Sequence, residues 1–227
     1  MSSPRVGVMS DRGMRVGELW RYPVKSMRGE LLEAAEVQAD GIAGDRVVHV
    51  TDERGRVVTS RTSPRLLELS ARLAPTGQPL VDDHPWDDAE VAKLVRIAAG
   101  DGARLVRYDG LERFDILPLL VATDGAITAF GHDGRRLRPN IVIHGVPGLS
   151  ERDWEGRQLR IGETVIGLHS LRERCIMTTF DPDTVEQDVD VLRGIRARFG
   201  GKIALNAYVV HAGTVRTGEP VELLPKA

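Results

Sequence analysis

The sequence predicts a mainly β protein of the α+β class, with a few helices and two β-barrel-like modules. Two observations predict this class. The 24 Gly and 12 Pro residues are spread along the chain, and most apolar runs between them have the length of a strand. Clear helical spacing occurs in few segments. Strand-rich halves with isolated helices bury their sheets most simply as two modules.

The first module is predicted over residues 14–110. Turn residues separate its short apolar runs. Residues 75–86, rich in Pro and Asp, are expected to form an irregular connection. The expected strands are 15–22, 34–39, 46–51 and 56–60, with turns at 41–44 and 52–55.

One helix is clear in the first module. Its apolar residues follow the i, i+3, i+4, i+7 spacing of a buried helix face: Val91, Leu94, Val95 and Ala98. Asp87 and Glu90 form a capping-box pattern at its start, and Gly100 supplies the stop. A strand at 104–108 is expected to follow.

The second module is predicted over residues 111–225 and begins near Asp115. A second amphipathic helix is indicated by the i, i+4, i+8 spacing of Val191, Ile195 and Phe199. The other expected elements are a strand at 119–122, a short helix that is capped by Asp124 and runs through Phe130, a strand at 138–143, a hairpin at 159–166, a strand at 207–211 and a hairpin at 214–223.

Composition restricts the function. The chain has 227 residues, 41% of them hydrophobic, which suffices for an ordinary core. Its net charge of −2 argues against nucleic-acid binding, which needs a basic face. No apolar run approaches the roughly 20 residues of a membrane span, and the first residues lack a secretion-signal pattern. Together with one unpaired cysteine, these features predict a cytoplasmic protein.

The single cysteine, Cys175, has three roles open to it. It cannot form an internal disulfide or build a multi-thiolate metal site by itself. It is a buried small side chain, a reactive thiolate, or the one protein ligand to a soft metal whose other ligands come from a cofactor. Arg172 and Arg174 place positive charge beside the sulfur, which favours the thiolate. The residues alone leave the three roles open.

Four short motifs occur in order along the chain. They are Arg-Tyr-Pro-Val-Lys-Ser at 21–26, Leu-Arg-Pro-Asn-Ile-Val at 137–142, Arg-Cys-Ile-Met-Thr-Thr at 174–179 and Gly-Thr-Val-Arg-Thr-Gly-Glu-Pro-Val at 213–221. They resemble the motifs of MOSC-domain proteins, the family of the molybdenum cofactor sulfurase C-terminal domain and the mitochondrial amidoxime-reducing component. The resemblance spans about residues 14–225 and includes the family's N-terminal β-barrel region.

The resemblance implies binding of the molybdenum cofactor, in which two pterin sulfurs hold the metal and a phosphate ends the pterin. Thiolate is a soft ligand suited to this metal, and arginine and lysine suit the phosphate. Cys175 is then the implied metal ligand and, with Glu173, the implied catalytic residue. The residues implied around the cofactor are Lys25, Ser26, Arg46, Asp115, Arg138, Asn140, Arg174 and Tyr208.

Some of these residues also have a simpler interpretation. Taken without the resemblance, Lys25 is typical of an exposed strand end, and Arg46 and Arg138 are typical of surface ion pairs. Asp115 lies in a segment that departs from the family, because Ile-Leu at 116–117 stands where relatives carry Thr-Ser. Only backbone contacts to the pterin are therefore carried over there. Glu173 replaces a small hydroxyl residue and either relays protons or points to solvent.

The activity implied by the resemblance is reduction of N-oxygenated small molecules, with water as the second product. Since no cysteine remains for an iron–sulfur centre and no haem or flavin motif is evident, we expect electrons from a separate protein. Two alternatives stay open. One is a non-catalytic carrier of the cofactor, or a sulfur-transfer protein that uses a persulfide on Cys175; the other is a folded relic with a buried thiol. A monomer without nucleic-acid or membrane partners is expected.

Overall fold

The computed structural model describes residues 13–108 and 110–226. The elements of the first half are β1 (Arg15–Arg21), β2 (Glu30–Leu32), β3 (Ala34–Gln38), β4 (Gly41–Ile42), β5 (Val48–Thr51), β6 (Val57–Val58), β7 (Ala71–Leu73), β8 (Pro79–Val81), β9 (His84–Pro85), α1 (Ala89–Ala99) and β10 (Arg104–Arg107). Those of the second half are β11 (Leu119–Thr123), α2 (Asp124–Phe130), β12 (Ile141–His144), β13 (Gln158–Ile161), β14 (Thr164–Glu173), α3 (Val189–Phe199), β15 (Lys202–His211), β16 (Gly213–Arg216) and β17 (Val221–Leu224). The predicted mainly β class with few helices is confirmed.

The largest sheet among the described residues has the strand order β17-β13-β14-β15-β11-β12-β1-β2. Its strands pair antiparallel except β11 with β12, which are parallel. The sheet curls until its ends approach each other. Val16 N donates to Glu219 O at 2.9 Å, and Gly218 N donates to Val16 O at 2.7 Å. The large sheet is therefore curved like a barrel, but it is not closed by a continuous ladder of hydrogen bonds between its two ends.

Strands from the two halves of the chain pair with each other. The three small sheets have the orders β10-β5-β6, β16-β3-β4 and β7-β8-β9. In the second of these, Val215 of β16 lies opposite Ala35 of β3, whereas β17 pairs with β13 in the large sheet. The hairpin predicted at 214–223 is therefore wrong, because its two strands have different partners far away in the sequence.

Two hydrophobic cores stabilise the sheets from which the loops of the site extend. In the first half, Val91 and Val95 of α1 pack with Val48, Leu66 and other buried residues. The second core lies within the large sheet and contains buried residues of β1, β11, β12, β13, β14 and β15. Each core buries one face of its sheets, as layered packing requires. The loops that connect the strands lie outside these cores and form the pocket described below.

Local details correct several predicted boundaries. The N-cap of α1 is Asp88, whose side chain accepts from Glu90 N, rather than Asp87. Thr123 rather than Asp124 caps α2. The strand predicted at 138–143 begins at residue 141, because Arg138 is left-handed. Residues 75–86, predicted to be irregular, contain β8 and β9, and the turn predicted at 41–44 contains β4.

Among the described residues, no helix is long and apolar enough to cross a membrane. Residues 1–12, where the sequence predicts no secretion signal, lie outside the described ranges.

Candidate functional site

A pocket lies where loops from both halves of the chain meet. It encloses about 780 Å³, part of which is open to solvent. The described residues that line it include six cations, Lys25, Arg46, Arg61, Arg138, Arg172 and Arg174, but only two carboxylates, Asp115 and Glu173. Because the whole chain carries a net charge of −2, this positive charge is a local feature. The pocket is suited to an anion.

Cys175 lies in this pocket, directly after β14. Its backbone is extended, and its carbonyl accepts from Thr178 N at 3.1 Å and Thr178 Oγ1 at 2.9 Å. These bonds fix the thiol at the start of the 3₁₀ turn Ile176–Thr179. The thiol is free and half-buried. Burial lowers the pKa of Arg61, but Asp115 and a hydrogen bond to Cys175 outweigh burial and raise it. A cation from the first half therefore meets the sulfur of the second.

Asp115 joins three of the cations. Its Oδ1 lies 2.9 Å from Lys25 Nζ, and its Oδ2 lies 3.2 Å from Arg172 Nη2 and also pairs with Arg61. Burial raises the pKa of Asp115, but the hydrogen bond from Lys25 and the charges of all three cations outweigh it and lower the pKa to about 2. Asp115 is therefore ionised at neutral pH and holds the three cations together against their mutual repulsion.

Asp45 is fully buried behind the pocket and positions Arg46. Its Oδ1 accepts from Tyr22 N at 2.7 Å, and its Oδ2 accepts from Asn140 Nδ2 at 3.1 Å and pairs with Arg46. The Asn140 side chain also bonds the backbones of β1 and β11. Since both amide hydrogens and the amide oxygen of Asn140 have protein partners, this side chain connects the halves behind Arg46.

The side chain of Arg138 makes no hydrogen bond or ion pair with any described residue, and its guanidinium lies over the Tyr22 ring, 4.2 Å from the centroid. Arg46 lies over the same ring, at 5.0 Å. Burial is the main cause that lowers the pKa of Arg138 to about 10, with Arg46 adding to it. Burial likewise raises the pKa of the Tyr22 hydroxyl to about 12. No described residue supplies an anionic partner to this buried cation.

Arg174, like Arg138, has a side-chain donor without a partner among the described residues. Its Nη2 donates to Leu137 O at 2.7 Å, but its Nε is buried without a hydrogen-bond partner among the described residues. Burial, with the charge of Arg172 adding to it, lowers the pKa of Arg174 to about 10. Buried polar groups are nearly always paired in folded proteins. The unpaired Nε therefore indicates a ligand atom at this wall of the pocket.

Three residues of the pocket have the left-handed backbone conformation that favours glycine. The φ angles are 73° for Ser26, 56° for Arg46 and 54° for Arg138. Such angles are uncommon for residues with a side chain and persist where the surrounding structure requires them. Here the strained turns direct two arginines toward one ring and one pocket.

Two domain models match this chain. The MOSC N-terminal beta barrel domain matches residues 13–107, and the MOSC domain matches residues 127–222. Together they cover most of the sequence. The chain belongs to the MOSC-domain family.

Named relatives of this MOSC protein fall into two groups. Mitochondrial amidoxime-reducing component 1 of Homo sapiens is 25% identical over an alignment of 280 positions, gaps included, which covers 92% of this chain and 82% of that protein. The Mus musculus protein of the same name is 27% identical over an alignment of 283 positions, with the same coverage. Molybdenum cofactor sulfurase of Bombyx mori is 33% identical over 89 residues, which are 37% of this chain and 10% of that protein.

The MOSC fold brings nearly all the residues predicted for the site into one pocket. They are Lys25, Ser26, Arg46, Asp115, Arg138, Asn140, Glu173, Arg174 and Cys175. Lys25 and Arg46 are paired and largely buried, so the interpretation of them as exposed surface charges is wrong. Glu173 is exposed at the rim and makes no hydrogen bond or ion pair through its side chain with the described residues.

Tyr208 is the exception, because it lies outside the lining of this pocket. Its side chain is 41% exposed and lies across Gly167 of β14, where an added Cβ would come within 2.3 Å of the ring. Asn206, two residues earlier on the same face of β15, lines the pocket instead. It is buried and accepts from Arg172 Nη1 at 3.3 Å.

Sequence reasoning missed Arg61, Thr59 and Asn206. Arg61 lies in the loop after β6 and is one of 27 arginines, so neither its type nor its spacing distinguishes it. Its role depends on the pairing of distant segments. Arg172 was noticed only as a neighbour of the cysteine, although it bonds both Asp115 and Asn206.

Proposed function

We propose that this MOSC protein binds the molybdenum cofactor and reduces N-oxygenated small molecules with electrons from a separate protein. The observation that carries the proposal is the position of the single thiol, Cys175, in a pocket lined by cations with unused donors. The names of the relatives support the same chemistry.

The residues present fit such a cofactor. Cys175 offers a thiolate to a soft metal. Arg138, which has no anionic partner, and Arg174, which has a buried unpaired Nε, fit a phosphate group. Arg46 and Lys25, which line the same pocket, add positive charge. When bound, the cofactor would supply a two-electron redox centre.

The chain's own part in the reaction is proton supply and positioning. Reduction of R–NHOH to R–NH₂ and water consumes two electrons and two protons. Asp115, with a pKa of about 2, is unprotonated at neutral pH and is therefore unsuited to deliver them. We assign proton relay to Glu173, the exposed carboxylate two residues before Cys175. Glu173→Gln should keep the metal yet lower turnover about 10²–10⁴-fold, the usual range for a lost proton-transfer group.

The decisive experiment is turnover by protein produced in a host that makes the cofactor. We expect the chain to contain molybdenum and to reduce benzamidoxime with an artificial electron donor. It should not oxidise NADH or NADPH with substrate present, because it has one cysteine and no evident flavin or haem motif. Sustained NADH-dependent turnover by the pure chain would contradict the need for a separate donor.

The second candidate is a cofactor carrier, or a sulfur-transfer protein with a persulfide on Cys175. The match to molybdenum cofactor sulfurase, which falls within a small part of that protein, favours it. Two measurements separate the candidates. A carrier releases its cofactor to an acceptor apoprotein and shows no turnover. A sulfur-transfer protein treated with a small-molecule persulfide, which leaves as its thiol, gains one sulfur atom by mass spectrometry; this gain is lost on reduction and absent from Cys175→Ser.

The predicted cytoplasmic location and monomeric state remain predictions. The names of the animal relatives include the word mitochondrial. Fractionation of the source cell and sedimentation of the purified chain would test the two predictions separately.

A further inference from the structure

A second pocket lies against the first and shares Arg138 and Met177 with it. It encloses about 630 Å³, partly open to solvent. Its other walls come from β1 and the loop after it, from the turn near residue 70, and from the segment around Phe180. Neither Cys175 nor Glu173 lines it, so the chemistry proposed above does not account for it.

The second pocket is mainly aromatic and positively charged. Trp20, Tyr22 and Phe180 line it together with Arg28 and other arginines, and none of the described residues lining it is a carboxylate. Aromatic rings and guanidinium groups both stack on planar π systems. A pocket with apolar walls and a few converging polar groups is typical of a small-molecule site.

Two arginines of this pocket lack an ion-pair partner among the described residues: Arg138, which is shared with the first pocket, and Arg28. Two neighbouring arginines are neutralised, because Arg135 pairs with Asp183 and Arg136 pairs with Asp181. Arg28 forms no ion pair with a described residue; its Nη2 donates to the carbonyl of Asp183 at 2.7 Å. Its Nε is buried and has no hydrogen-bond partner among the described residues. A buried donor on a cation is satisfied best by an anionic acceptor.

We infer that the second pocket binds a small aromatic carboxylate, with its ring among the aromatic side chains and its carboxylate on Arg28. The aromatic walls favour a flat apolar body, and the absence of lining carboxylates favours one negative charge. The forked guanidinium matches a carboxylate better than an ammonium does. The inference does not depend on the proposed reductase activity.

The test is calorimetric titration of the full chain, as purified, with benzoate. Benzamide has the same shape without the charge, and acetate has the charge without the ring. We expect benzoate to bind at least tenfold more tightly than either. Arg28→Gln should weaken benzoate binding by roughly tenfold to a hundredfold, the loss of one charge-assisted hydrogen bond. Arg28→Lys should be intermediate.

The matched control is Arg160→Gln, the same change at an exposed arginine that pairs with Glu222. It should bind benzoate like the wild type, and thermal unfolding should show all variants to be folded. Equal affinity for benzoate and benzamide, or for benzoate and acetate, would overturn the inference even if Arg28→Gln failed to fold. So would loss of binding in Arg61→Gln but not in Arg28→Gln, which would place benzoate in the first pocket.

Discussion

Lys25 Nζ lies 2.9 Å from Asp115 Oδ1, and this ion pair joins the two halves of the chain at the wall of the first pocket. Lys25 Nζ also donates to Arg113 O at 2.8 Å. The lysine that the family motif assigns to cofactor binding is thus held by the protein itself. The pocket consequently has two kinds of cation: those paired through Asp115 or Asp45, and those, such as Arg138, without a counter-ion.

Removing the Asp115 carboxylate should destabilise the protein. We expect Asp115→Asn to lower the free energy of unfolding at pH 7 by about 1.5–3 kcal/mol, the typical loss for hydrogen bonds to a charged group. Because the folded-state pKa of Asp115 is depressed to about 2, its contribution is present above the ordinary value near 4 and disappears as pH falls toward 2. Urea unfolding between pH 2 and 8 would measure this.

The control for Asp115 is Asp83→Asn, which breaks a single exposed pair with Arg72. That change should alter stability by less than about 1 kcal/mol. A wild-type minus Asp115→Asn difference that stayed constant from pH 7 down to pH 2 would contradict the role given to Asp115.

Cys175→Ala should keep the fold and lose the metal–sulfur bond. The thiol is half-buried and its backbone bonds to Thr178 do not involve the sulfur, so we expect a change in stability of less than about 1 kcal/mol, as for other surface-facing substitutions. Activity should be lost. X-ray absorption should then show one Mo–S contact fewer than in the wild type, and the same number in both proteins would refute metal ligation by Cys175.

Arg138 and Arg46 should respond differently to replacement. Arg138→Ala should leave stability unchanged or raise it, since the described residues offer this cation no anionic partner. Arg46→Ala should lower stability, because it leaves the fully buried Asp45 without its cation. Both variants should retain about tenfold to a hundredfold less molybdenum. Lysine at either position should restore retention only in part, and Lys25→Ala should have the smallest effect.

Molybdenum per folded monomer and the unfolding midpoint of each variant provide the measurement. Full metal occupancy in both arginine variants would mean that the cofactor lies elsewhere. A large loss of stability in Arg138→Ala would mean that the guanidinium has a partner within the protein.

Glu151 is a buried acid outside the site, and replacing it should stabilise the protein at higher pH. Its Oε2 accepts from Thr123 Oγ1 at 3.3 Å, while its Oε1 has no partner among the described residues. Burial raises its pKa. The penalty for ionising it is therefore absent below the ordinary pKa and grows with pH up to the raised value, by at most about 1.4 kcal/mol per pH unit.

We accordingly expect Glu151→Gln to gain stability relative to the wild type as pH rises from 4, measured by urea unfolding. The exposed Glu163→Gln should show no such trend. A stability difference for Glu151→Gln that did not change with pH would argue against a raised pKa.

Elements with strong local signals were predicted well. The spacing of Val91 and Val95, and of Val191 and Ile195, correctly located α1 and α3, because helical hydrogen bonds are local and the buried face repeats within one segment. The hairpin at β13 and β14 was also predicted, because its two strands are adjacent in sequence and a short turn joins them. The hairpin at 214–223 failed because sheet partners are chosen by long-range contacts.

The sequence by itself determined that one thiol lies in a family motif, that strands outnumber helices, and which residues belong to the four MOSC motifs. These properties depend on residue type and order alone. Tertiary structure decided that Arg61 reaches Cys175, that Asn206 rather than Tyr208 lines the pocket, and that Asp115 unites three cations. The physical reason is that ion pairs and strand register join residues far apart in sequence, and no local pattern records which partner is near.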